Sequence, residues 1–151
     1  MKLKRIFLLP ILFVCFAAFG QQKTAIDYPS NVDAPLSKNE KAMIKEVYQS
    51  KANQEVFNND FLKDIKHLLR NRILIYEENN PKAQKKTTLL SEVPLFDDYN
   101  KDLKRDKKFD VSNFNPLKYK LDFFANGTYL YRVDNTNYFI QITSQHRTFK
   151  K

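Results

Sequence analysis

The sequence predicts an α+β domain, two N-terminal helices packed on one face of an antiparallel sheet of three to four strands. Three observations predict it. Apolar residues recur by three and four across residues 38–51 and again across 54–70, the period of a helix with one buried face. Apolar and polar residues alternate across 117–123, the period of a strand. Asn126-Gly127 stands just after that stretch, and this dipeptide suits a type I′ hairpin turn, which needs positive φ at both central positions.

The chain opens on a segment that belongs to none of these elements. Lys2, Lys4 and Arg5 precede an apolar run, Ile6 to Phe16, interrupted by Pro10, and Ala18-Phe19-Gly20 offers a small-x-small cleavage site. That is the pattern of a secretory signal peptide over residues 1–20, too short to span a bilayer. The expected destination is the periplasm or the medium. A lipid anchor on Cys15 is disfavoured, because Leu12-Phe13-Val14 precedes it where lipoprotein processing wants a small residue. Residues 21–36, with Pro29, Pro35, Ser30, Asn31 and Asp33, read as a flexible leader to a single domain over 37–151.

Ser37-Lys38-Asn39-Glu40 is a capping box and starts the first helix. Ala42, Met43, Ile44, Val47 and Tyr48 form its apolar face; Phe57, Phe61, Leu62, Ile65, Leu68 and Leu69 form that of the second helix. Arg72-Ile73-Leu74-Ile75-Tyr76 has the β-branched and aromatic content of a strand, and Asn79-Asn80-Pro81 ends it. Residues 82–110 read as a charged loop insertion. Within it residues 87–96 form at most an edge strand, since Pro94 lacks an amide donor, and residues 97–110 set five Asp against five Lys or Arg. Strands over 117–123, 128–133 and 138–143 then make a meander, with 134–137 as its second turn and 72–76 as a fourth strand.

Composition excludes much chemistry. Cleavage near Gly20 removes the one cysteine and one of the two glycines, and lowers the net charge from +9 to +6 as Lys2, Lys4 and Arg5 leave. A chain without cysteine has no disulfide, thiolate nucleophile or cysteine-held metal centre. Gly127 alone cannot build a phosphate-cradling loop or a nucleophile elbow, which need several positions free of a Cβ. Asp98-x-Asn100-x-Asp102 opens like a calcium loop, but Leu103 occupies the glycine position and Phe109 that of the bidentate Glu. Glu77 and Glu78 do not make a glycosidase pair, because neighbours in a strand face opposite ways. No cofactor and no metal is expected.

What remains is a non-enzymatic exported domain that binds a partner or ligand through the sheet or the basic loop. The candidate binding residues are Lys66, Lys101, Lys104 and Arg105, with Phe124 and Phe139 on the sheet face away from the helices, a face expected to lie under the 82–110 loop. An envelope protein or an anionic envelope polymer is the expected partner. Nucleic acid is not, since the lysines alternate with aspartates instead of gathering beside stacking aromatics. One alternative is metal-independent phosphodiester cleavage, with His67 and His146 as acid and base and Arg70 or Arg147 as phosphate clamp. Another is a basic envelope-surface binder acting through residues 82–108.

The order of helices and then a meander resembles the small basic bacterial ribonuclease toxins, a resemblance of topology without a shared motif. The junction Ala17-Ala18-Phe19-Gly20-Gln21-Gln22, the run Asn113-Phe114-Asn115-Pro116-Leu117-Lys118-Tyr119 and Tyr131-Arg132-Val133-Asp134-Asn135-Thr136 resemble small exported proteins of Bacteroidota. That resemblance implies a secretion route and no activity.

Overall fold

The computed structural model describes residues 26–79, 87–143 and Gln145. The signal peptide with Cys15, the whole of the basic stretch at 82–86, and His146 and Arg147 lie outside the described residues.

Helix α1 (Lys38–Tyr48) starts on its capping box: Ser37 Oγ accepts the Glu40 amide at 3.1 Å and Glu40 Oε2 accepts the Ser37 amide at 2.7 Å. It ends at Gln49, whose φ is 50°. The expected second helix is divided. A π turn, Asn53–Phe57, precedes α2 (Phe61–His67), and another, Leu68–Arg72, follows it. The break falls at Asn58-Asn59-Asp60, where the Asn59 side chain accepts the Phe61 amide at 3.1 Å. Short polar side chains of this kind satisfy the backbone locally and so compete with a continuing helix.

Four strands, β1 (Ile73–Glu77), β2 (Thr88–Leu89), β3 (Thr128–Arg132) and β4 (Tyr138–Thr143), form one sheet in the order β1-β4-β3-β2. β4 pairs antiparallel with both β1 and β3, but β2 lies parallel to β3, so the sheet is mixed and the expectation of a purely antiparallel one is corrected. The expected strand over 117–123 is not formed. Pro116–Lys118 is a 3-10 turn, and the backbone that follows pairs with residues 94–96: Phe96 N donates to Lys118 O and Lys120 N to Pro94 O, both at 2.8 Å. There is therefore no three-strand meander, and the topological resemblance to ribonuclease toxins goes with it. Gly127 has φ +114°, but Asn126 does not share the positive φ of a type I′ turn. The turn at 134–137 does form, with Asn135 in the left-handed region at φ 54°.

A parallel β2–β3 pair requires a crossover, and residues 90–127 supply it. That crossover roofs the sheet. Ile73, Ile75, Ile140, Ile142, Tyr129 and Tyr131 share one face, packed against Leu90, Val93, Phe114, Tyr119 and Leu121. The helices keep a second core of Ile44, Val47, Tyr48, Ala52, Val56, Ile65 and Leu68, closed by Leu117; Ile73 and Phe123 touch both cores. The described part of the 82–110 segment thus covers the face nearer the helices, not the far face as expected.

Residues 26–36, expected as a flexible leader, are docked on the helices. Val32 is fully buried and its carbonyl accepts Lys66 Nζ at 3.0 Å. Arg70 uses all five of its N–H groups: Nε and Nη2 on Glu40, Nη1 on the Asn31 and Ala34 carbonyls, Nη2 also on Pro35 O. The sequence hides this, because Val32 stands alone among polar residues and no periodicity marks it.

The Arg70 hydrogen bonds, against an opposing burial effect, bring the Glu40 pKa down from 4.5 to about 2. A carboxylate depressed in the folded state contributes stability that is present above its unfolded pKa and lost as pH falls towards the folded value. Urea unfolding followed by circular dichroism should therefore show stability declining between about pH 4.5 and 2. In Glu40→Gln that decline is expected to be shallower; an unchanged slope would show that this pair does not couple folding to protons.

Candidate functional site

The groups proposed for phosphodiester chemistry are committed elsewhere where the structure describes them. His67 stands edge-on to Tyr28 with ring centroids 5.5 Å apart, and its Nδ1 meets Asn71 Nδ2 at 3.2 Å. Burial lowers its pKa, and the positive charge of Arg72 lowers it further against the pull of Asp64. Asp64 Oδ1 accepts from the Tyr28 hydroxyl at 2.5 Å and from Gln145 Nε2 at 2.6 Å, which pins the end of the described chain to α2. Arg70 has no N–H left for a phosphate. Buried Arg72, which the sequence did not single out, donates through Nε to Thr143 O and through Nη2 to Phe123 O.

The predicted binding residues scatter. Lys66 is buried on Val32 O and presents no charge to solvent. Lys101 is exposed and lies 3.7 Å from Asp97; Lys104 is exposed. Arg105 sits over the Tyr119 ring, 5.6 Å from its centroid, and donates to the Leu90 and Val93 carbonyls. Phe139 lies on the far sheet face as its parity demands, but it is fully buried with Tyr76 stacked on it, so it is not a docking residue. Phe124 is not on the sheet, because the strand expected to carry it does not exist. It is 52% exposed and lies against Phe61 of α2.

Phe124 stands at the mouth of a groove of about 340 Å³ between the helices and residues 117–124. Six phenyl or phenol rings line it: Tyr48, Phe61, Phe96, Tyr119, Phe123 and Phe124, over a floor that includes Ile65, Leu117 and Leu121. The end of α1 supplies Tyr48 and the first residue of α2 supplies Phe61. Phe96 is held by the backbone pairing of 94–96 with 118–120, and Phe123 by the Arg72 guanidinium on its carbonyl. Burial pushes the Tyr48 hydroxyl up to about 12, so it stays protonated. The charged side chains of the lining are Asp98 and Lys120, joined at 3.2 Å across the rim, with Lys120 Nζ 5.9 Å from the centre of the Phe96 ring.

A buried polar network anchors this wall to α1. Lys118, 4% exposed, reaches Asp106 at 2.6 Å and Glu46 at 3.3 Å. Asn115 donates to Met43 O and Glu46 Oε2 while accepting the Leu117 amide. Burial alone would lower the Lys118 pKa, but its two carboxylates outweigh burial and raise it.

Among the described residues no group of three His, Cys, Asp or Glu is placed to hold a metal ion, and no helix is long and apolar enough to cross a membrane. Asp98 and Asn100 of the calcium-like pattern are used structurally, Asp98 on Lys120 and Asn100 on the Glu46 carbonyl and the Asp102 amide. The chain matches no protein-family model, no curated protein and no solved structure. The site's geometry therefore carries the functional argument. Sequence reasoning reached Phe124 but missed Phe61, Phe96, Asp98 and Lys120 as its companions. An aromatic on a helical stripe reads as core, and nothing local shows that two separate segments close on it.

Lys118→Met keeps the apolar stem and removes the ammonium, whose two carboxylates are 35% and 45% exposed and can turn to water, so it is expected to cost about 1 kcal/mol of stability. Lys118→Ala also opens a cavity and should cost about 2 to 3 kcal/mol. Denaturant unfolding reads both; equal losses would show that the charge, and not the packed stem, carries the contribution.

Proposed function

We propose that this chain is an exported, non-enzymatic binding protein of the cell envelope whose aromatic groove takes a sugar ring of an envelope polymer. Export rests on the positive n-region, apolar core and small-x-small site of residues 1–20. The observation that carries the binding reading is Phe124, half exposed, backed by Phe61 and Phe123, and flanked by the Asp98–Lys120 pair.

A pyranose has an apolar face of C–H bonds and a periphery of hydroxyls. Aromatic faces carry partial negative charge and attract the positively polarised C–H groups laid on them. At the rim a carboxylate accepts from one hydroxyl and an ammonium donates to its neighbour, which fixes the ring's orientation. An acyl chain has no group for that ion pair. Hydrolysis of a glycosidic bond by paired carboxylates needs two of them across the bond, and among the described residues the groove lining offers Asp98 alone, already bound to Lys120.

Affinity gel electrophoresis with a neutral β-glucan or a polyuronate in the gel tests the reading. At least one polymer should retard the mature protein, and Phe124→Ala should weaken that retardation up to about tenfold, the upper range for one stacked ring. The unfolding midpoint of Phe124→Ala should barely move, because an exposed ring contributes little to stability. No retardation by either polymer, or full binding by Phe124→Ala, overturns the reading.

A further inference from the structure

The molecule has a second concavity, of about 550 Å³, between residues 105–109 and the β3–β4 turn. Its charges are unequal in availability. Both carboxylates that line it are engaged. Asp134 accepts from the Ser91 amide and hydroxyl. Asp106 accepts from Lys118 Nζ and, at 3.5 Å, from the Tyr119 hydroxyl. On the cationic side, Arg105 has given two of its five N–H groups to backbone carbonyls, and Lys107 and Lys108 are exposed without an ion pair among the described residues. Lys118 neutralises Asp106, while Asp134 keeps its charge on neutral donors and within the field of Arg105, so among the described lining residues three cations face one uncompensated carboxylate.

We infer that this cleft binds the acidic group of a polysaccharide, a uronate carboxylate or a sugar-borne sulfate. Arg105 supplies a fixed, planar donor set, oriented by its two carbonyl bonds and its seat over Tyr119. Lys107 and Lys108 supply mobile ammonium groups, and the exposed Asn135 at the turn offers an amide for a hydroxyl.

Two other polyanions fit the same charge less well. Single-stranded nucleic acid needs exposed rings for its bases, but of the two rings that line the cleft Tyr119 is 3% exposed, with Phe114 stacked at 5.5 Å and Arg105 over it, and Phe109 is half-buried against Phe114 and Tyr138. A phospholipid surface needs apolar side chains at the mouth to enter the bilayer. The exposed large apolar residues, Leu74, Tyr99, Val111 and Phe124, do not line this cleft.

The inference joins the proposed function in one respect: Tyr119 contributes to the walls of both concavities, so an acidic polymer with a ring in the groove has a charged subsite for a neighbouring unit. The cleft's own claim does not need the groove, and the experiment separates them. Affinity electrophoresis of the mature protein is run with a polyuronate, a neutral β-glucan, single-stranded DNA and vesicles containing an anionic phospholipid.

The polyuronate should retard the protein most among the anionic probes, less as salt rises. Lys107→Gln/Lys108→Gln should weaken that retardation at least about tenfold, the loss expected for charge-assisted hydrogen bonds. Lys41→Gln/Lys45→Gln on α1 removes the same charge elsewhere and should leave it within about twofold. Equal loss in both double variants, no loss in the first, or stronger retention by DNA or vesicles overturns the cleft. If Phe124→Ala binds fully while Lys107→Gln/Lys108→Gln fails on the polyuronate, the groove reading falls and the cleft stands.

Discussion

Buried and half-buried cations hold segments of this chain that its short helices and strands do not reach. Lys66 ties residue 32 to α2, Arg70 ties residues 31–35 to the start of α1, Arg72 joins the crossover to the end of β4, and Lys118 bridges α1 and the 103–110 segment. Each reaches across a long separation in sequence and satisfies backbone carbonyls or carboxylates that burial would otherwise strand, a cost the interior does not tolerate. Replacing Arg70, Arg72 or Lys118 by a smaller side chain removes more than one bond at once, and replacing Lys66 strands the buried carbonyl of Val32. The excess of Lys and Arg in this chain is therefore in part an internal framework.

The same framework explains which parts of the fold were legible. Helix α1 was readable because its cap, its apolar period and its end are all local in sequence. Strands β1, β3 and β4 were readable from β-branched and aromatic content together with the turn at 134–137. The alternation of Leu117, Tyr119, Leu121 and Phe123 correctly marked burial and wrongly implied a paired strand. Tyr119 and Leu121 are inside because they lie on the sheet, Leu117 because it closes the helical core, and Phe123 touches both, so period two reports which side chains point inward, whatever the backbone pairs with. Pro94 belongs to the explanation, since its carbonyl accepts from Lys120 while its missing amide asks nothing of a neighbour.

Parallel pairing of β2 with β3 then follows from where the chain has to go. Leaving β1 at one edge and entering β2 at the other, the chain must return across the sheet before β3 can pair in the same direction. Residues 90–127 make that return as the roof over the apolar face. Had a hairpin closed at Gly127, the roof would have fallen to the helices. As built, the helices keep their own core and meet the sheet through Ile73 and Phe123, and the seam between the two cores is where the aromatic groove opens. A groove at a seam is a consequence of two hydrophobic clusters that share only a few side chains.

The charged stretch at 97–110 shows why site prediction from this sequence stopped short. Its ten charges alternate as if they cancelled, yet the structure sorts them by partner. Lys101 goes to Asp97, Asp98 to Lys120, Asp106 to Lys118 and Arg105 to backbone carbonyls. What stays without an ion pair is set by which residues the roof brings near, and that leaves Lys104, Lys107 and Lys108 facing water against Asp102 and Asp110. Lys118 and Lys120 are decisive here, although both lie outside the stretch: by capturing Asp106 and Asp98 they turn a locally neutral segment into a locally positive one. A surface potential of this kind depends on tertiary pairing, so two sequences of equal net charge, differing only in where their lysines fold, would present different surfaces to the same polyanion.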